Sequence, residues 1–175
     1  MNELTSYIFN KLESGITKKK AAFKFGSLAS TFNNMPEQRM VVIRKIIDNK
    51  IYIYTDNRSQ KITHFKNNKN ASLLFYDTDL MEQLILKGTI TIEESNVNEI
   101  WETVPDFAHR DYTTVNAPGT PLKKDSLEYS KDINNFCYLI FEFNVMDYLK
   151  INKPNNQRTL ITLNNNEWST INVTP

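Results

Sequence analysis

At 175 residues the chain can bury one sizeable core and falls short of the length expected for two, so residues 1–175 read as a single domain. Its 21 basic and 20 acidic residues leave a formal charge of +1, which argues against a general polyanion binder, and 40% apolar content argues against disorder. The opening MNELTSYIFNKLESG holds two carboxylates and no continuous apolar run, and FCYLIF is too short to span a bilayer, so a cytoplasmic protein with no membrane partner is expected.

Leu4, Tyr7, Ile8 and Leu12 recur at helical spacing and predict an amphipathic first helix that ends by Gly15. The period then changes. FKFGSLAST, RMVVIRKII, KIYIYT, ASLLFY and EQLILKGTITIEE are rich in β-branched and aromatic residues and are separated by polar clusters such as NNMPEQ, which predicts short strands. DNK between VVIRKII and IYIYT reads as a hairpin turn joining antiparallel neighbours. SQKITHFKNN sets Ile62 and Phe65 against lysines, with Ser59 as N-cap; SNVNEIWETVPDFAHRDY holds one helix up to Pro105 and a second after it. Both helical interruptions are expected outside the barrel. VNAPGTPLKKDSLEYSKDINN lacks periodicity and reads as a loop, after which FCYLIFEFNVMDYLKI, RTLITL and EWSTINV resume strands. The pattern favours a mainly β barrel or sandwich over a doubly wound sheet.

Much chemistry is missing. His64 and His109 have no metal-ligand spacing to a second donor, and four glycines leave no phosphate-cradling loop, so no metal is expected and side chains would have to hold any phosphate. Cys137 lies in an apolar run and packs as a small hydrophobe. No serine has the context of a nucleophile elbow. What remains is IYIYTDNRSQK. Arg39 and Arg44 bracket one strand, while Thr55, Ser59, Gln60 and Lys61 gather at the next strand's end and a helix start. Hydroxyls, an amide and bases suit a phosphate. By spacing alone, solvated strand ends remain the commoner reading.

In order and spacing, RMVVIRKI, IYIYTDNRSQK and NASLLFYDTDLMEQLILKGTI resemble the flavin-binding core of the pyridoxamine 5'-phosphate oxidase family. In that family an Arg-Met-Val strand, a Tyr-Thr strand end followed by Ser-Arg-Lys, and a later Gln-Val strand surround FMN. The likeness covers roughly residues 20 to 95 well and the C-terminal strands more loosely. It implies an FMN-binding split β-barrel of about six antiparallel strands with flanking helices, dimeric, with the cofactor in a cleft between subunits. By the same resemblance Arg39 and Lys61 bind the FMN phosphate with Thr55 and Ser59 nearby, following Tyr54, and Gln60 stands where an arginine is usual. Met40, Val41 and Val42 line the flavin through their backbone, Arg44 replaces a lysine near the ring, and Gln83 matches the glutamine that bonds the isoalloxazine. Arg158 fits the arginine that reaches FMN from the closing strands, and Tyr148 falls where the oxidase has a tryptophan.

The departures bear on function. Pro154 and Asn156 stand where the oxidase grips its substrate with an Arg-x-His pair, and Pro105 replaces an arginine of the insert, leaving Arg110 as a weak substitute. The resemblance therefore implies a retained FMN site and a lost vitamin-oxidase substrate site. The expected activity is FMN-dependent redox chemistry on an unidentified small molecule, with no catalytic side chain required. A flavin-binding module without turnover and a residual oxidase are the alternatives. Binding of single-stranded nucleic acid through KKK at 18–20 is disfavoured by the near-zero charge.

Overall fold

In the computed structural model, which describes residues 2–94, 97–122, 126–132 and 134–175, helix α1 (Glu3–Thr17) begins at Asn2, whose side-chain oxygen accepts from the Thr5 amide at 2.9 Å. The helix runs past Gly15, where the expected stop does not occur; this glycine is instead a point of close packing, its Cα against the Phe23 backbone that a Cβ would strike. Ile8 and Leu12 face the core.

The strands are β1 (Phe25–Phe32), β2 (Met35–Val42), β3 (Lys45–Ile47), β4 (Lys50–Asp56), β5 (Asn70–Asp77), β6 (Glu82–Glu93), β7 (Phe136–Lys150), β8 (Gln157–Asn164) and β9 (Glu167–Val173). They form one antiparallel sheet in the order β2-β1-β5-β6-β7-β4-β3, with β8 on β7 and β9 outside β8. β2 comes back against β4, so the six-strand path from β2 to β4 curls into the split barrel expected from the sequence, and β3, β8 and β9 extend it. Asn33 and Asn34, both at positive φ, make the tight β1–β2 turn, and the expected hairpin joins β3 to β4.

The register fixes two faces. Arg39 lies in the row Leu28, Leu73, Leu86 and Met146, all fully buried, whereas Met40 lies in the outward row Ser27, Leu74, Ile85 and Asp147. Helix α2 (Gln60–Asn67) plugs into the barrel rather than lying clear of it: Ile62 and Phe65 join the main core, and His64 is fully buried. Helices α3 (Val97–Trp101) and α4 (Asp106–His109) stand outside, and α3 covers a second cluster formed by Tyr112, Phe136 and Tyr138. Arg58 ties this insert down, pairing with Asp56 at 2.7 Å and donating to the carbonyls of Thr114 and Val115. Among the described residues no helix is long and apolar enough to cross a membrane.

Candidate functional site

Strand β4 delivers Thr55 and helix α2 delivers Ser59 and Lys61 to one corner. Ser59 occupies the N-cap position, as its residue type predicts, yet its hydroxyl makes no capping bond. It is held instead at 3.2 Å from Thr55 Oγ1, and Lys61 Nζ donates to both hydroxyls, at 2.9 Å to Thr55 and 3.0 Å to Ser59. Lys61 has no carboxylate partner among the described residues. Burial lowers its pKa, and the charge of Arg39 lowers it further. Burial likewise lowers the pKa of Arg39, which donates through Nη1 to Ser30 Oγ at 2.6 Å and through Nη2 to Glu37 Oε2 at 3.3 Å. Lys61, unpaired by any carboxylate among the described residues and bonded to two hydroxyls, with the charge of Arg39 acting on it, makes a corner rich in positive charge and donors. Such a corner fits a phosphate dianion.

The other expected residues do not gather there. Val41 is buried inside, Met40 is 64% exposed, Val42 is half-buried on the outer face and Gln60 is exposed. Arg44 lies over the Tyr54 ring at 5.6 Å and bonds the Tyr112 hydroxyl, while Tyr54 packs edge-on against Phe136. Gln83 is half-buried, paired with Tyr76 on one side and Leu149 on the other. Tyr148, set by the resemblance over a cofactor, is 6% exposed in the core because its row faces inward beside Leu84, and its hydroxyl bonds Glu82. Arg158 makes a bidentate pair with Asp147, at 2.9 and 2.8 Å. Arg110 is exposed over the Tyr129 ring, and Pro154 and Asn156 are exposed between β7 and β8.

Position along β7 explains the split. Thr55 pairs with Cys137, whereas Gln83 and Arg158 pair with Leu149. About 12 residues of strand separate the two, roughly 40 Å of strand path at ~3.3 Å per residue. Cys137 itself is inert: burial pushes its thiol up to about 12.

Sequence reasoning missed Ser30 and Glu37, which bond Arg39, and His64 behind them. Ser30 lies 2.9 Å from His64 Nδ1 and pairs across the sheet with Glu37. Reading Asn33-Asn34 as a two-residue turn would have set that register and found the contact.

The family described as pyridoxamine 5'-phosphate oxidase, FMN-binding domain, matches residues 2–94. No curated protein matches significantly. Among solved structures, a pyridoxamine 5'-phosphate oxidase-related, FMN binding protein from Nostoc punctiforme is similar with a TM-score of 0.81 at 23% identity, covering 100% of this chain and 99% of that one. PhzG from Burkholderia lata, solved with tetrahydrophenazine-1-carboxylic acid, gives 0.79 at 15% identity over 100% and 94%. A Clostridium acetobutylicum protein related to general stress protein 26 gives 0.60 at 16% identity over 99% and 97%. These likenesses establish the fold, and the family match covers more than half of the sequence that folds this way, including β1, β2, β4 and α2. The chain belongs to the family of pyridoxamine 5'-phosphate oxidase FMN-binding domains.

Proposed function

We propose that residues 1–175 are one FMN-binding domain of a homodimeric flavoprotein, an FMN-dependent oxidoreductase acting on a small molecule other than pyridoxamine phosphate. The observation that carries this reading is the corner in which Lys61 donates to Thr55 and Ser59, with Arg39 near enough for its charge to act on Lys61. Those four side chains would hold the phosphate, with the exposed Gln60 at the start of α2 as a further donor. The backbone of Met40, Val41 and Val42 would line the ring. Bound FMN supplies hydride transfer, chemistry that no side chain here offers. Arg44, fixed by Tyr54 and Tyr112, offers a stationary positive charge on the neighbouring surface.

The separation along β7 supports a shared cleft. Gln83 and Arg158 lie far along the strand from Thr55, so a second copy is the economical way to bring them to one cofactor. The outer face offers apolar surface for that copy: Phe25 is 50%, Met40 64% and Tyr76 41% exposed.

Fluorescence quenching by titrated FMN and riboflavin tests the reading. Tight FMN binding with weaker riboflavin binding is expected, and a colourless protein that quenches neither would refute it. A non-catalytic flavin module is the second reading. Flavin that stays oxidised with NADH, NADPH and a metabolite panel would decide for it.

A further inference from the structure

His64 is fully buried on α2, and its Nε2 is a buried side-chain nitrogen without a hydrogen-bond partner among the described residues. Such orphans are rare and call for a cause. Its Nδ1 lies 2.9 Å from Ser30 Oγ, which accepts from Arg39 at 2.6 Å. A serine hydroxyl has one proton, and with Arg39 donating, that proton is free to point at Nδ1. The ring's own proton is thereby assigned to Nε2. The opposite tautomer would aim a bare lone pair at a carboxylate, because Glu37 Oε1 is 3.8 Å from Nε2. The other carboxylate oxygen, Oε2, is 3.3 Å from Arg39 Nη2. A ring of four residues closes, with Glu37 standing between a cation and an N–H that has no other partner. The imidazole is fixed by stacking on Phe32 at 5.0 Å and 2°, whereas the Glu37 side chain is 42% exposed and has room to rotate.

We propose that Glu37 is an exchangeable counter-ion of Arg39, and that the Nε2–H of His64 takes it over when a phosphate group enters the corner. The inference rests on the reading that the FMN phosphate sits there. An arriving dianion repels Glu37 from Arg39. A shift of about 1 Å then brings Oε1 into hydrogen-bonding range of Nε2. The buried donor loses its orphan status and the displaced carboxylate keeps a partner. His64 and Glu37 are positioning residues that set how strongly the corner prefers a phosphate to a neutral ligand.

The test titrates FMN and riboflavin separately into wild type, His64→Asn, Glu37→Gln and the double variant. Asparagine keeps an acceptor near the Nδ1 position for Ser30 and removes Nε2. His64→Asn should weaken FMN binding about two- to fivefold and Glu37→Gln should strengthen it by a similar factor, the scale of a partly exposed ion pair. In the double variant the His64 effect should vanish, and riboflavin binding should stay unchanged throughout. A His64 effect of equal size with and without Glu37 overturns the exchange. NMR of wild type gives a readout that needs no variant to fold: FMN should move the Nε2 proton of His64 downfield, and riboflavin should leave it in place. An unmoved proton with FMN bound more tightly than riboflavin overturns the exchange and leaves the phosphate site standing. Equal affinity for the two ligands removes the phosphate site and the exchange together.

Discussion

Lys61 donates to Thr55 and Ser59 with the charge of Arg39 near enough to lower its pKa, so its ammonium has reason to meet an anion. Lys61→Ala should remove roughly 1.5–3 kcal/mol of FMN binding, about ten- to a hundredfold, the scale of a hydrogen bond to a charged group. Riboflavin, which lacks the phosphate, should bind as before. Arg39→Ala should show the same selectivity in the same titrations. Equal losses for both ligands would mean damage to the fold instead of a phosphate contact. Gln60→Arg, at an exposed position, should strengthen FMN binding by no more than a surface charge pair, about two- to fivefold. These residues were legible in the sequence because Thr55, Ser59 and Lys61 share one short stretch. Ser30 and His64 were not, since each meets Arg39 or its neighbour only through strand register and the docking of α2.

Helix α1 is fastened to the β5–β6 hairpin by ion pairs. Lys11 Nζ lies 2.7 Å from Asp77 and 2.6 Å from Glu82, and Glu82, 1% exposed, also accepts from Tyr7 and Lys150. Burial alone would raise the pKa of both carboxyls, but hydrogen bonds, led by Lys11, hold them below their ordinary values of 3.8 for Asp77 and 4.5 for Glu82. A depressed carboxyl stabilises the fold above its ordinary pKa and loses that contribution as pH falls through the folded value. Unfolding free energy from urea titrations should therefore decline once the pH drops below 4.5, and less steeply in Lys11→Met. At neutral pH Lys11→Met should cost about 3 kcal/mol, the lower end for breaking a buried pair, because Glu82 keeps its other donors. Gly88 is a second element-scale test. At the β6–β7 irregularity its position is crowded by the Glu142 carbonyl, so Gly88→Ala must move backbone and should cost about 1–3 kcal/mol in the same measurement.

For the whole molecule, a cleft shared between copies predicts that flavin affinity follows dimerisation. Phe25→Glu places a charge on the exposed apolar face without touching the corner, and should shift the protein to monomer in light scattering while weakening FMN binding. A monomer that holds FMN with wild-type affinity would rule out the shared cleft. Pro154 and Asn156, both exposed and uncharged, cannot grip a second phosphate as an Arg-x-His pair does. Peroxide release from pyridoxamine phosphate should therefore stay near background, and rates typical of an oxidase would contradict the reading.

The sequence by itself determined most of the strands, the β3–β4 hairpin and helix α2, because alternation and turn residues act over a few neighbouring positions. But it took NNMPEQ as a break where residues 35–38 belong to β2, and it ran β2 and β3 together. It also placed two hydroxyls, an amide and a lysine together at one strand end and helix start. Tertiary structure alone decided that α2 enters the barrel, that Arg39 is braced by Ser30 and Glu37, and that Tyr148 faces Glu82 in the core. It also decided that Gln83 and Arg158 lie at the far end of β7 from Thr55. Each of these depends on register and curvature across strands distant in sequence, where a shift of one residue would turn every side chain to the opposite face.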